Sequence, residues 1–106
     1  MAFSEELIQR VWEKGRTLAD RNADEWRQDE CGAWLAREAY AEEHSDYGWK
    51  IVNTSLGGAD TLDNLRPLHC NNGFDYPSGK AHCHVTADRE GVQPTAHVGQ
   101  PVNKSV

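Results

Sequence analysis

Trp49-Lys50-Ile51-Val52-Asn53, then Leu56-Gly57-Gly58-Ala59-Asp60, then Asn64-Leu65-Arg66-Pro67-Leu68 read as a strand, a loop and a second strand. Aromatic and β-branched residues favour a pleated, half-buried surface, and paired glycines interrupt it. Pro67 has no backbone donor, so its strand must be an edge or must place Pro67 where the ladder needs no N–H. A short helix is expected to follow from His69 to about Phe74, weakened by Gly73, with irregular chain from Tyr76-Pro77-Ser78-Gly79 onward.

Upstream, Ser4 precedes Glu5 and Glu6, a capping hydroxyl followed by acids that suit the positive end of a helix. Leu7, Ile8, Val11 and Trp12 then form one apolar stripe, which predicts a helix over residues 4–20, loosened at Gly15. Asp29-Glu30-Cys31-Gly32 predicts the turn of a short hairpin over 26–35, and Arg37 to Glu43 could form one or two helical turns. Downstream, His82-Cys83-His84-Val85 suits a short strand with the two histidines on one face and Cys83 and Val85 on the other. Residues 90–106 carry Pro94, Pro101, two glycines and few large apolar groups, the composition of a flexible tail. The expectation is a small single α+β domain: an N-terminal helical segment (1–24), a central domain (25–89) and a loose C-terminal tail (90–106).

Composition narrows the classes. The 106 residues hold 11 Lys+Arg and 17 Asp+Glu, for a net charge of -6. Residues 1–50 carry 7 basic and 12 acidic side chains, against 4 and 5 in the remainder, so the excess acid lies in the N-terminal half. This balance argues against a general nucleic-acid coat, which needs clustered Lys and Arg. A hydrated surface is the plain reading of the acids. The sharper one is an acidic docking face, with Glu25, Asp29, Glu30, Glu42, Glu43 and Asp46 as its candidates. A mean hydropathy of -0.78 and the lack of a long apolar run argue against a membrane span. The acidic start lacks the basic and apolar regions of a signal peptide, so the expected location is cytoplasmic, with reduced thiols.

The stretch Tyr47-Gly48-Trp49-Lys50-Ile51-Val52-Asn53, Gly57-Gly58-Ala59-Asp60, Asp63-Asn64-Leu65-Arg66-Pro67-Leu68-His69 and Asn71-Asn72 resembles the HNH endonuclease (His-Me finger) family. The upstream run from Arg27 to Leu35 and Tyr40 resemble the segment that leads into the motif in one bacterial branch, so the likeness spans roughly residues 25–86. It implies a ββα centre at about 48–76 that clamps one divalent metal. In members that cut DNA, the first strand ends in Asp-His: the His is the general base and the Asp helps hold the metal. A middle Asn braces the intervening loop, and a His or Asn on the helix completes the metal site. Here the Asp-His pair falls on Val52 and Asn53, the middle Asn on Asn64, and the helix position on Asn72, or on Asn71 with a one-residue slip. Valine has no ligating atom, and an amide has no basic site of useful pKa. The resemblance therefore implies a degenerate member without its base or its first metal carboxylate.

Other side chains offer weaker alternatives. His69 stands near the motif as a candidate displaced base, against the plainer reading of a partly exposed His beside a helix start, and His44 could swing toward the same place. Cys31, Cys70 and Cys83 with His82 would make a Cys3His zinc set, but their spacing matches no knuckle and there is no Cys-x-x-Cys pair. Buried apolar thiols are favoured, and a Cys31–Cys83 disulfide is not expected in a reducing compartment. Trp12, Trp26, Trp34 and Trp49 suit core packing better than base stacking.

Three functional classes follow. The favoured one is a catalytically inactive HNH-like scaffold acting as an acidic binding or inhibitor protein, with no cofactor. Its partner would be a protein with a basic nucleic-acid-binding surface, as for a phage- or mobile-element-encoded inhibitor of the anti-CRISPR type. The second is an enzyme, a Mg- or Mn-dependent nuclease with a displaced base. The third is a non-catalytic nucleic-acid-binding module, which would need Arg66, Lys50, Lys80 and Arg89 on one face.

Overall fold

The computed structural model describes residues 3–19, 21–88 and 101–106. Among them the chain runs through α1 (Glu5–Trp12), β1 (Trp26–Gln28), β2 (Trp34–Ala36), β3 (Trp49–Asn53), β4 (Leu65–His69), β5 (Gly73–Asp75), β6 (Lys80–His82), β7 (Val85–Ala87) and β8 (Asn103–Ser105). Short 3-10 turns occupy Arg37–Ala39 and Leu62–Asn64. The strands pair antiparallel as β1–β2, β3–β4, β5–β6 and β7–β8. This is the expected α+β class in a single domain, with four two-stranded ribbons in place of one larger sheet among the described residues.

The strand–loop–strand reading holds at residue level. Trp49 stands opposite His69, Ile51 opposite Pro67 and Asn53 opposite Leu65. In a two-stranded ribbon both strands are edges, which is the setting Pro67 requires. The 26–35 hairpin also forms, and Gly32 sits at φ 82 in its turn, a conformation that costs glycine nothing.

The core lies between α1 and the β3–β4 ribbon. Ile8, Val11, Trp12, Leu35, Trp49 and Leu65 form its buried cluster. Trp12 and Trp49 pack with ring centroids 5.3 Å apart, and Tyr40 meets Trp49 edge-on at 4.9 Å. Each large apolar side chain buried in this way contributes about 1.5–3 kcal/mol. Both indoles also satisfy their N–H: Trp12 donates to the Ala23 carbonyl and Trp49 to the Arg37 carbonyl. Trp34 is buried and Trp26 stacks edge-on with Tyr47, so all four tryptophans pack as expected.

Three expectations are corrected. The first helix begins as read, with the Ser4 hydroxyl accepting from the Leu7 N–H, but it stops at Trp12. Beyond Gly15 the chain is drawn alongside β1, where Arg16 and Gln28 exchange two backbone hydrogen bonds. Arg27 fixes the turn by donating to the carbonyls of Glu13, Gly15 and Ala23.

The helix expected over 69–74 is absent, so the ββ part of the implied ββα centre is present without its helix. His69 ends β4, residues 70–72 turn, and Gly73–Asp75 pairs with Lys80–His82. The reason is the Tyr76-Pro77-Ser78-Gly79 segment, which closes a hairpin. Gly79 takes φ 69 and its N–H reaches the Asp75 carbonyl at 2.9 Å.

The expected loose tail is docked where it is described. Pro101 is buried and accepts from the Tyr47 hydroxyl at 2.6 Å, while Asn103–Ser105 pairs with β7. The Asn103 side chain exchanges hydrogen bonds with the Trp34 N–H and carbonyl, acting as one more rung on the edge of β2. The rest of the tail prediction, over 90–100, lies outside the described residues.

Candidate functional site

The motif residues of the resemblance fall at opposite ends of the β3–β4 ribbon. At the loop end, Asn53 is engaged on all sides. Its Nδ2 lies 3.1 Å from each of three acceptors, the Gly58 and Ala59 carbonyls and Asp60 Oδ1, and its Oδ1 accepts from the Ser55 N–H at 2.8 Å. Asn64 donates to the same Ala59 carbonyl at 2.9 Å. Together the two amides tie down the glycine-rich loop. Val52 is half-buried opposite Arg66, and Tyr76 donates to the Asn53 carbonyl at 2.6 Å.

At the other end stands a buried polar knot. Asp29 is 2% exposed and accepts four hydrogen bonds: Oδ1 from the N–H groups of Cys31 and Ala33, Oδ2 from the His69 N–H and from Asn72 Nδ2. Asn72 also donates to the Val85 carbonyl and accepts from the N–H groups of His84 and Val85. A single carboxylate thus joins the first hairpin turn, the end of β4 and, through Asn72, the start of β7. His69 is buried with both ring nitrogens occupied: Nδ1 accepts from the Asn71 N–H at 3.0 Å, which leaves Nε2–H to donate to the Asp46 carbonyl at 2.8 Å. It is not the partly exposed histidine expected, and neither nitrogen is open to take a proton from water. Asn53 and Asn72 therefore do not converge on one pocket. Asn71, the alternative position, is exposed.

The cysteine expectation is overturned. Cys31 and Cys83 form a disulfide, brought together because the first hairpin turn packs on β7, where Thr86 donates to the Cys31 carbonyl and Ala87 N–H to the Gly32 carbonyl. Two thiols of the Cys31, Cys70, Cys83 and His82 set are consumed in this bond and are not free to ligate a metal while it is formed. Among the described residues no group of three or more His, Cys, Asp or Glu side chains is arranged for a metal ion. The strand expected through His82-Cys83-His84-Val85 does not form, since β6 ends at His82 and β7 starts at Val85, but His82 and His84 still share a side and stack at 4.6 Å. They line a cavity of about 400 Å³ with Lys50, Cys70 and Phe74. Burial raises the Cys70 thiol above its ordinary value, against the opposing charge of Lys50.

The acidic candidates divide. Glu25, Glu42, Glu43 and Asp46 are exposed, as a docking face requires. Asp29 is buried with its carboxylate spent on four donors, and Glu30 is paired with Arg66 at 3.0 Å. Of the proposed basic face, Arg66 and Lys50 share one side of the ribbon, but Arg66 is tied to Glu30 and Lys50 donates to the Cys70 carbonyl. Lys80 is exposed, and Arg89 lies outside the described residues.

One feature has no clear signal in the sequence. A cleft of about 300 Å³ opens between the end of α1, β1 and β4, lined by Lys14, Arg16, Gln28, Asp29, Glu30 and Arg66 among others. Lys14 reaches over it to the carbonyls of Leu62 and Leu65. Partial burial and then the Arg66 charge hold its ammonium below the ordinary lysine value, with Asp63 opposing. Gln28 is 2% exposed, and its Nε2 is buried without a hydrogen-bond partner. An orphaned buried donor costs about 1–3 kcal/mol.

Among the described residues no helix is long and apolar enough to cross a membrane. Compared with known proteins, the chain matches no family model, no curated protein and no solved structure.

Proposed function

We propose that this chain is a degenerate HNH-type scaffold that binds a protein partner and does not cleave nucleic acid. The observation that carries the reading is Asn53. Where the resemblance calls for a general base, this side chain is an amide whose donor and acceptor are both spent on the Ser55–Asp60 loop. A base needs a free lone pair near neutral pH and a metal needs converging ligands. His69, the candidate displaced base, has both ring nitrogens engaged, which speaks against the nuclease alternative. The partner is a protein with a basic nucleic-acid-binding surface, met by the exposed Glu42, Glu43 and Asp46 with Glu25, since opposite charge speeds association and selects partners. An inhibitor of a host defence complex, of the anti-CRISPR type, is the class of protein this describes.

The cytoplasmic setting carries a condition. Disulfides are rare in reducing compartments, so the proposal assigns the Cys31–Cys83 bond to an oxidising environment and the dithiol form to the cytoplasm.

Two measurements test the reading. Purified protein should leave supercoiled plasmid intact with Mg²⁺ or Mn²⁺. Capture from a nuclease-treated host lysate should recover a basic protein that added DNA displaces and that a Glu42→Lys, Glu43→Lys variant fails to retain. Metal-dependent nicking, or equal capture by the charge-reversed variant, would overturn it.

A further inference from the structure

The cleft between α1, β1 and β4 concentrates positive charge in an acidic molecule. Lys14, Arg16 and Arg66 line it against Glu30 and Asp29. The Asp29 carboxylate is already satisfied by four donors, and Glu30 neutralises Arg66 alone. Lys14 gives hydrogen bonds to two carbonyls and keeps a third N–H, and the Arg16 guanidinium has no ion pair among the described residues. Behind these charges stands Gln28 with a buried, unpartnered donor. Buried donors are nearly always paired, so a donor without an acceptor, in the wall of a cleft lined by cations, marks a site short of its acceptor.

We propose that this cleft binds a small oxyanion, the phosphate or carboxylate group of a soluble small molecule, held by Lys14, Arg16 and Arg66 with Gln28 as the neutral donor. The Glu30 carboxylate is the internal competitor, because it occupies the Arg66 guanidinium that an incoming anion would share. The cavity is large enough to take more than the anionic group itself, at the lower bound of ordinary ligand pockets. The site shares none of the acidic residues assigned to the partner and does not depend on the protein-binding proposal.

The test is titration of the ¹⁵N-labelled full chain with inorganic phosphate and, separately, with succinate, at constant ionic strength. The expected result is a saturable shift of the Gln28 side-chain NH₂ pair by at least one of them, with a dissociation constant on the order of 1–10 mM. Saturation by phosphate alone assigns a phosphorylated ligand, and saturation by succinate a carboxylate. Lys14→Met should weaken binding by about tenfold, the loss of one charge-assisted hydrogen bond. Glu30→Gln, which removes only an exposed carboxylate and leaves the core untouched, should tighten it. The proposal is overturned if neither anion gives a saturable shift at Gln28, or if Glu30→Gln leaves the affinity unchanged or lowers it.

Discussion

Replacing Asp29 by asparagine separates a surface role from a structural one. The substitution keeps the shape of the side chain and turns one acceptor oxygen into a donor. If the new NH₂ stands at Oδ1, it faces the N–H groups of Cys31 and Ala33 and opens the first hairpin turn. If it stands at Oδ2, it faces the His69 N–H and the Asn72 amide. Asn72 could present its oxygen by flipping, but that oxygen already accepts from His84 and Val85, so the flip transfers the loss to β7. Every rotamer therefore loses two hydrogen bonds and sets donor against donor in a buried site. At about 1.5–3 kcal/mol for each bond to a charged acceptor, the expected loss is roughly 3–6 kcal/mol. A domain of this length holds about 5–15 kcal/mol in all, so the variant should unfold at a much lower urea concentration. Glu30→Gln is the internal control: the adjacent acid pairs with Arg66 where both side chains are partly exposed, and its removal should cost no more than about 1 kcal/mol. Urea unfolding followed by tryptophan fluorescence reads both variants. If Asp29→Asn shifts the midpoint no more than Glu30→Gln does, with the same slope, the buried knot does not hold the fold as described.

Other consequences can be measured on the same preparation. The Cys31–Cys83 bond spans 52 residues of sequence, and the loop-closure entropy it removes from the unfolded chain predicts a loss of about 4 kcal/mol in a Cys31→Ser, Cys83→Ser variant; unchanged urea midpoints with and without reductant would contradict the bond. Ala41 adopts φ 64, the left-handed region that disfavours an L side chain, so Ala41→Gly should stabilise by about 0.5–1 kcal/mol in the same assay, and a loss would show that the strain is misplaced. Burial raises the Cys70 thiol above its ordinary 9.0, so the folded state holds that proton more tightly than the unfolded chain. Its contribution is full below pH 9 and is lost as pH rises through the folded value. The stability difference between wild type and Cys70→Ala should therefore shift against the wild type above pH 9; a difference independent of pH from 7 to 11 would exclude the linkage.

What could be read in the sequence was local, and what could not depended on residues far apart along the chain. The Trp49–Asn53 strand, its loop and the proline-bearing return strand carry their own signals in β-branched residues, paired glycines and Pro67. So do the Ser4 cap and the Gly32 turn. The helix expected over 69–74 failed where a tertiary partner overrode local preference: Asn72 is spent on Asp29 and on β7, and the Pro77-Ser78-Gly79 turn returns the chain as a ribbon. Asp29 was misread for a related reason. In sequence it is one acid beside another, and only the approach of His69 and Asn72, about 40 residues downstream, makes it the most heavily hydrogen-bonded carboxylate described. The disulfide and the docking of Asn103 have the same origin, since neither spacing nor hydropathy reports which distant segments meet.

These corrections bear on the proposed function. Asn53 and Asn64 fasten one end of the ribbon while Asn72 and His69 fasten the other, so the side chains at the base and metal positions of the resemblance, Asn53 and Asn72, and the candidate displaced base His69 are consumed in hydrogen bonds within the fold. Removing Asp29 and Glu30 from the docking face leaves Glu25, Glu42, Glu43 and Asp46, a smaller charge than composition suggests. Exposed charges of this kind act mainly on association rate and are screened by salt. Binding carried by these four carboxylates should therefore weaken steeply as salt is raised from 50 to 500 mM. Affinity independent of salt would move the proposed interface away from the acidic segment.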